Sequence, residues 1–427
     1  MLKEGYKECE IGVIPEDWEV VKLDSLGKII TGSTPKTSNQ DFYINGTRLW
    51  ASPSDLGKSK EIKTTKTKLS DLGFEQIRVL EKRSILITCI GSTIGKMGIA
   101  YEEMSSNQQI NAITCNQYNN PDFYYYVLFK IKDKIQKLAG TQAVPLLNKT
   151  DFSQIKVIQP PLKEQEKIAD ILSTADEKID AIEGQIQKAE TLKKGLLQKL
   201  LSKGIGHSEF KDSELGKIPE GWEVVPFLEL ADKKINYSFT GGPFGSDLKS
   251  EHYTKDGVRV IQLQNIGDGS FINNDFVYTS EEKVEALKTC QIYPNDIILA
   301  KMAEPVARAC IMPSIEEKYL MGSDGIRLHI DKSKYDTHFI LHSINFTRFR
   351  DIAVARSTGT TRLRIGLTAL KKIPIVIPPL KEQKQISDIL STADEKIEVL
   401  RVKKQKYETL KKGLLQKLLS GEIRVEI

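Results

Sequence analysis

The chain has 427 residues, 28% of them charged and 40% apolar. That length implies two or three domains at roughly 100–200 residues each, and the balance excludes wholesale disorder. With 62 basic and 57 acidic residues the net charge is only +5, so a nucleic-acid partner must be argued from local clusters and not from the sum.

No apolar run approaches the ~18 residues a membrane span needs. The charged start Met1-Leu2-Lys3-Glu4-Gly5 has no signal-peptide core. A cytoplasmic location with no membrane contact is expected. The five cysteines lie far apart with no CxxC, which argues against a disulfide framework or a metal site. His338 and His342 are four apart and read as exposed positions of a helix.

The chain is written twice. Ile14-Pro15-Glu16-Asp17-Trp18-Glu19-Val20-Val21 returns as Ile218-Pro219-Glu220-Gly221-Trp222-Glu223-Val224-Val225. Pro160 to Ser202 matches Pro378 to Ser420 without a gap, with 32 identities in 43 positions. In chain order, residues 1–159 form a first globular block with short β-rich runs such as Arg83–Cys89 and an amphipathic helix near Phe123–Leu138. Residues 160–203 form a long helix. Residues 204–377 form a second block, with a β run at Asn295–Ala300 and a helix near Thr337–Val354. Residues 378–427 form a second long helix and a tail. Between the shared frames the two blocks align poorly.

Each long helix starts at a Pro-Pro pair and stops at a glycine, Gly204 or Gly421, as helix ends favour. From Leu162 to Leu201 it would run for roughly 60 Å. Apolar residues at alternating spacings of four and three form a coiled-coil seam. In the first helix these are Ile168, Leu172, Ala175, Ile179 and Ile182, with a break at Lys193. In the second they are Ile386, Leu390, Ala393, Ile397 and Leu400, with Lys404 and Lys411 interrupting further on. Two such seams in one chain are satisfied by antiparallel pairing with each other. The expected fold is α+β: two globular β-rich domains joined by two long helices in an antiparallel coiled coil, pseudo-two-fold symmetric.

This organisation resembles the specificity subunit of type I restriction-modification systems. The resemblance rests on Pro160-Pro-Leu-Lys-Glu-Gln165 and its repeat at Pro378–Gln383, and on the two Ile-Pro-Glu-x-Trp-Glu-Val-Val motifs. Gly32-Ser-Thr-Pro35, Ser106-Asn-Gln-Gln-Ile-Asn-Ala112 and Gly242-Pro-Phe-Gly-Ser-Asp-Leu248 add to it. It implies a subunit with no catalysis and no cofactor of its own, in which each block is a target recognition domain reading one half of a split, asymmetric double-stranded DNA site. It further implies that the helices set the spacer and dock two modification subunits, which carry S-adenosylmethionine and methylate adenine at N6. Motor-nuclease restriction subunits complete the enzyme.

Several residue clusters suit DNA by their own chemistry. Lys58, Lys60 and Lys63 open a lysine run fit for phosphates, which position a protein without specifying sequence. Thr141 and Gln142 follow the late helix of the first block. Arg356, Thr360, Thr361, Arg362 and Arg364 follow that of the second. Arginine can pair bidentately with guanine, and glutamine with adenine. Gln262, Gln264 and Asn265 form an amide-rich run of the same kind. Other motifs fail. Gly91-Ser-Thr-Ile-Gly95-Lys96 is one residue short of a P-loop and reads as a strand turn. No Asn-Pro-Pro-aromatic adenine-methyltransferase motif occurs. Trp18 and Trp222, alike in both blocks, read as packing residues. The rival to a DNA reader is a scaffold whose blocks bind proteins.

Overall fold

A computed structural model describes residues 4–140, 144–302, 304–360 and 362–426. The chain divides into two compact units, one of residues 1–184 with 401–427, the other of residues 185–400. Each unit contains a globular block, one half of the first long helix, Leu162–Lys203, and one half of the second, Leu380–Leu418.

In unit 1 a five-stranded sheet runs in the order Gly27–Thr31, Ile110–Cys115, Ile85–Thr88, Met97–Ala100, Glu61–Ile62. Strand Ile85–Thr88 is buried along its length, which is why its apolar run shows no alternation. A separate three-stranded sheet is built on Arg48–Ala51. In unit 2 a four-stranded sheet runs Phe239–Gly241, Gly325–Leu328, Ile297–Ala300, Ala309–Ile311. The two sheets share strand order and antiparallel pairing over their first four strands. The two blocks are therefore one fold, although their sequences diverge.

The late helix of each block is two helices, not one. Pro121–Lys130 is followed by Lys132–Leu138, and Thr337–Asn345 by Thr347–Ala355. At the second break Asn345 turns its amide onto the backbone of Ala309, accepting from its N–H at 3.0 Å and donating to its carbonyl at 2.9 Å, while Phe346 becomes extended. His342 is not the exposed residue its spacing suggested. Burial pushes its pKa down to about 4.

The halves of the long helices pair antiparallel inside each unit. In unit 1 Ile168 and Leu172 share a core with Leu415, Leu418 and Leu419. In unit 2 Leu200 and Leu201 share one with Ile386 and Leu390. Of the seam positions, Ile168, Leu172, Ala175, Ile182, Ile386, Leu390 and Ile397 are buried, and Ile179, Ala393 and Leu400 half-buried. The lysines that interrupt the seam are its ion pairs. Lys411 meets Asp176 and Lys404 meets Glu183 in unit 1; Lys193 meets Asp394 in unit 2. Asp176–Lys411 and Asp394–Lys193 occupy matching positions of the repeated segment.

The repeated motifs form the joint between block and helices. Trp18 is fully buried and its indole N–H donates to Glu164 at 2.9 Å; Trp222 does the same to Glu382 at 2.9 Å. The neighbouring glutamine reaches the cap of the block's own helix: Gln165 accepts from the N–H of Asn120, and Gln383 from that of Asp336, both at 2.9 Å. Asn120 and Asp336 are the N-caps of Pro121–Lys130 and Thr337–Asn345. The opposite long helix ends on this joint. A Cβ at Gly421 (φ 70°) would run into Pro15, and one at Gly204 (φ 64°) into Glu382 and Trp222. Both positions therefore require glycine for backbone and for space.

Candidate nucleic-acid interface

At one end of its strands each sheet gathers four turns, which together form one edge of the unit. In unit 2 the Gly242 N–H donates to the Gly325 carbonyl at 2.9 Å, and a Cβ at Gly242 would run into the Gly322 carbonyl. The turn Gly241–Ser246 is thus seated on the turn Gly322–Gly325. From there the Asp324 carbonyl accepts from the N–H of Lys301, and the Lys301 carbonyl from that of Ile365. Thr358 and Arg364 exchange two backbone hydrogen bonds of 2.9 Å, closing the stretch after the late helix into a hairpin. Gly359, next to the paired Thr358, has φ 105°, and a Cβ there would lie 2.5 Å from the Arg362 carbonyl. Four segments that are distant in sequence thus make one surface, with Lys301, Arg356, Arg362 and Arg364 as its cations.

Unit 1 builds the same edge. A Cβ at Gly32 would run into Ser106 and Asn107, and the Ser33 N–H donates to the Ser106 carbonyl at 2.8 Å. The exposed Thr34 hydroxyl donates to the Gln108 amide oxygen at 2.6 Å. Arg78, also exposed, donates to the Thr31 carbonyl at 2.9 Å. The Gly91 N–H donates to the Pro145 carbonyl, and Gln136 holds the Ile94 carbonyl, each at 2.9 Å. The turn Gly91–Lys96 therefore belongs to this edge as a strand connection. Arg78, Thr34 and Gln108 were not among the expected contacts. The motifs containing Thr34 and Gln108 were visible in sequence, but their meeting is a tertiary fact.

The expected residues divide. Arg356, at the end of the late helix, and Thr360 and Arg362, on the hairpin, are exposed. Arg364 is exposed but paired with Asp324. Thr141, Gln142 and Thr361 lie outside the described residues. Gln262 is half-buried and Gln264 exposed; Gln264 donates to the Gln262 amide oxygen at 2.7 Å. Gln262 touches the edge, since a Cβ on Gly322 would lie 3.6 Å from its Cα.

Two expectations are corrected. Asn265 is fully buried, accepts from the Gln262 N–H and donates to the carbonyls of Ile272 and Asn274 at 3.2 and 2.8 Å. Its hydrogen-bonding capacity is spent on a turn, so it reads no base. Lys60 points inward. Its ammonium meets Asp122 and Ser173 at 2.7 Å each and the Tyr126 hydroxyl at 3.3 Å. Burial alone would raise the pKa of Asp122, but Lys60 and Arg83 hold it below the usual carboxylate range. Lys60 is a structural cation, not a phosphate ligand. Lys58 and Lys63 remain exposed, Lys63 beside Glu61 at 3.1 Å and over the Tyr101 ring. Their loop forms one wall of a cleft of about 550 Å³ whose other wall, from the first long helix, carries Asp176, Glu177 and Asp180. Those carboxylates oppose a phosphate within the cleft.

The model of the type I restriction modification DNA specificity domain matches the chain twice, at residues 15–191 and 219–409. The chain belongs to that family. It is 30% identical to the type I restriction enzyme MjaVIII specificity subunit of Methanocaldococcus jannaschii, over 99% of this chain and 97% of that one. It is 31% identical to the putative MjaX specificity subunit of the same organism, over 99% and 98%. Among solved structures, the S subunit of a type I restriction-modification system from M. genitalium shares the fold with a TM-score of 0.60 at 15% identity, covering 96% of each chain.

Proposed function

We propose that this chain is the non-catalytic DNA-reading subunit of a type I restriction-modification enzyme, with each unit reading one half of a bipartite, asymmetric double-stranded site. The observation that carries this is the pairing of two repeated joints with two diverged edges. Trp18–Glu164 and Trp222–Glu382 repeat the same contact, whereas the turns at the sheet edges carry different side chains. That is what one frame presenting two different reading heads requires. In unit 2 Arg356 and Arg362 read or flank guanine, and Thr360, Thr361, Arg364, Gln262 and Gln264 contact the same half-site. In unit 1 Thr141 and Gln142, which follow its late helix in the sequence, contact bases, and Lys58 and Lys63 contact phosphates.

The long helices set the spacing between half-sites and dock two modification subunits, which hold S-adenosylmethionine and transfer the methyl group to adenine. Motor-nuclease subunits join when the complex restricts. The site of action is the cytoplasm; among the described residues no helix is long and apolar enough to cross a membrane.

The test is to exchange residues 204–377 for the corresponding block of a relative and map methylated adenines in the host genome. One half of the recognised site should change and the other stay. A change in both halves, or in neither, would refute the modular reading.

A further inference from the structure

Phe244 is the most exposed of the large apolar side chains among the described residues, at 82%. A single exposed apolar residue is ordinary on a protein surface, so the inference rests on where this one is held. Pro243 before it is buried, and Leu248 after it is 6% exposed. Gly242 is sealed against Gly322, and the Asp247 N–H closes the turn on the Phe244 carbonyl at 2.9 Å. The loop is pinned on both sides, and the ring stands out from the pinned tip.

The register of the two sheets identifies its counterpart. Thr31 pairs with Asn111 and Gly241 with Ile326, so Gly32 matches Gly242 and Thr34 matches Phe244. At that position unit 1 presents a hydroxyl tied to the Gln108 amide, a polar pair able to meet a base edge. Unit 2 presents a bare ring. The turn on which the loop is seated is polar: it carries Asp324, which is paired with Arg364, and it adjoins Gln262 and Lys301. A base-pair edge in the major groove offers an isolated apolar group in a polar field, the thymine 5-methyl.

We propose that Phe244 is a specificity-determining residue of unit 2, its ring packing on a thymine methyl in the half-site that unit 2 reads, while Thr34 with Gln108 reads by hydrogen bonding at the same position in unit 1. This rests on the DNA-reading function proposed above.

The test uses the full chain purified with its co-expressed modification subunits, and the wild type, Phe244→Ala and Phe244→Leu forms. Each thymine of the unit 2 half-site is replaced singly by deoxyuridine, which removes only the methyl. The half-site contains at least one thymine, because the adenine to be methylated is paired with one. For the wild type, one replacement should weaken binding about fourfold, the worth of one buried methyl. Phe244→Ala should lose about tenfold on the cognate site, keep its affinity for random DNA, and become indifferent to that replacement. Phe244→Leu should retain the dependence. Wild-type indifference to every deoxyuridine overturns the proposal, as does equal loss by Phe244→Ala on cognate and random DNA. Release of the co-purified subunits by Phe244→Ala overturns it too, in favour of a protein contact. If the wild type itself does not prefer cognate to random DNA, the DNA-reading function fails first and is recognised by that control.

Discussion

The two Trp–Glu joints are built from the same residues and closed by different basic side chains. In unit 2 the basic residue after the helix end is His207, whose ring nitrogen lies 2.8 Å from Glu382; the Ile205 N–H adds a further bond to that carboxylate at 3.0 Å. In unit 1 it is Arg424, whose guanidinium grips Glu164 at 2.7 and 3.0 Å and Asp17 at 2.9 and 2.7 Å. That hydrogen bonding holds Asp17 below the ordinary carboxylate range. The difference follows from the path of the chain. In unit 2 the helix end runs on through His207 into the hairpin Phe210–Ser213 and Gly216–Pro219 that leads to Trp222. In unit 1 the equivalent hairpin, Tyr6–Cys9 and Gly12–Pro15, lies at the far end of the chain from Arg424. Where the backbone makes the connection, a histidine suffices. Where it does not, a forked guanidinium binds two carboxylates, and the Tyr6 hydroxyl adds a bond to the Gly421 carbonyl at 2.6 Å.

The largest effect should come from the feature the joints share. Trp18→Ala and Trp222→Ala each empty a fully buried indole site and should cost about 3–5 kcal/mol. Hydrogen exchange should rise in residues 4–184 and 401–426 for the first and in residues 185–400 for the second. Exchange rising equally in both units for either variant would mean that the joints are not local.

These basic side chains should then separate the units. Arg424→Ala leaves the fully buried Glu164 carboxylate with the Trp18 N–H as its remaining bond. With allowance for the guanidinium being 39% exposed, the cost should be about 2 kcal/mol. His207→Ala leaves Glu382 with bonds from Trp222 and Ile205 and should cost about half as much. Denaturant unfolding of the two variants gives the comparison. An equal cost would remove the role assigned to chain connectivity.

Acid should distinguish the units last. All five histidines of the chain fall within residues 185–400. His342 is held neutral by burial down to about pH 4, with Asp394, Lys193, His338 and Asp336 as its charged or titratable neighbours. The unfolded chain takes up that proton near the ordinary histidine value of about 6.5, the folded unit only near 4. Between those values the unfolded state binds more protons, so the stability of unit 2 should fall as pH drops through the window. Because the ring is only half-buried, the loss should be nearer 1–2 kcal/mol than the full shift implies. His342→Leu should flatten the stability of unit 2 between pH 6.5 and 4. A slope unchanged by that substitution would place the acid sensitivity elsewhere.

The sequence carried the frame with little loss. Glycine C-caps, Pro-Pro starts and the four–three spacing are local signals, and the structure places the helices where they indicate. The interruptions of the seam were visible as lysines, but their partners were not, because Asp176 and Lys411 are 235 positions apart in the chain. The common fold of the blocks was hidden as well. Strand order depends on buried positions and pairing register, which many different residues satisfy. Asn265 and Lys60 were misread for a related reason. A polar side chain in sequence carries no sign of whether its hydrogen bonds end in water, in DNA or, as for these two, inside the protein.

What the sequence determined by itself was the repeat, the helices and the family resemblance, all of which rest on short-range periodicity or on identity between copies. Only the tertiary structure decided which carboxylate each tryptophan holds, which four turns form one edge, and that Phe244 and Thr34 stand at one position of one fold. Those are contacts between residues far apart in the chain. Such contacts are set by how sheets register and helices pack, and local propensity does not encode them.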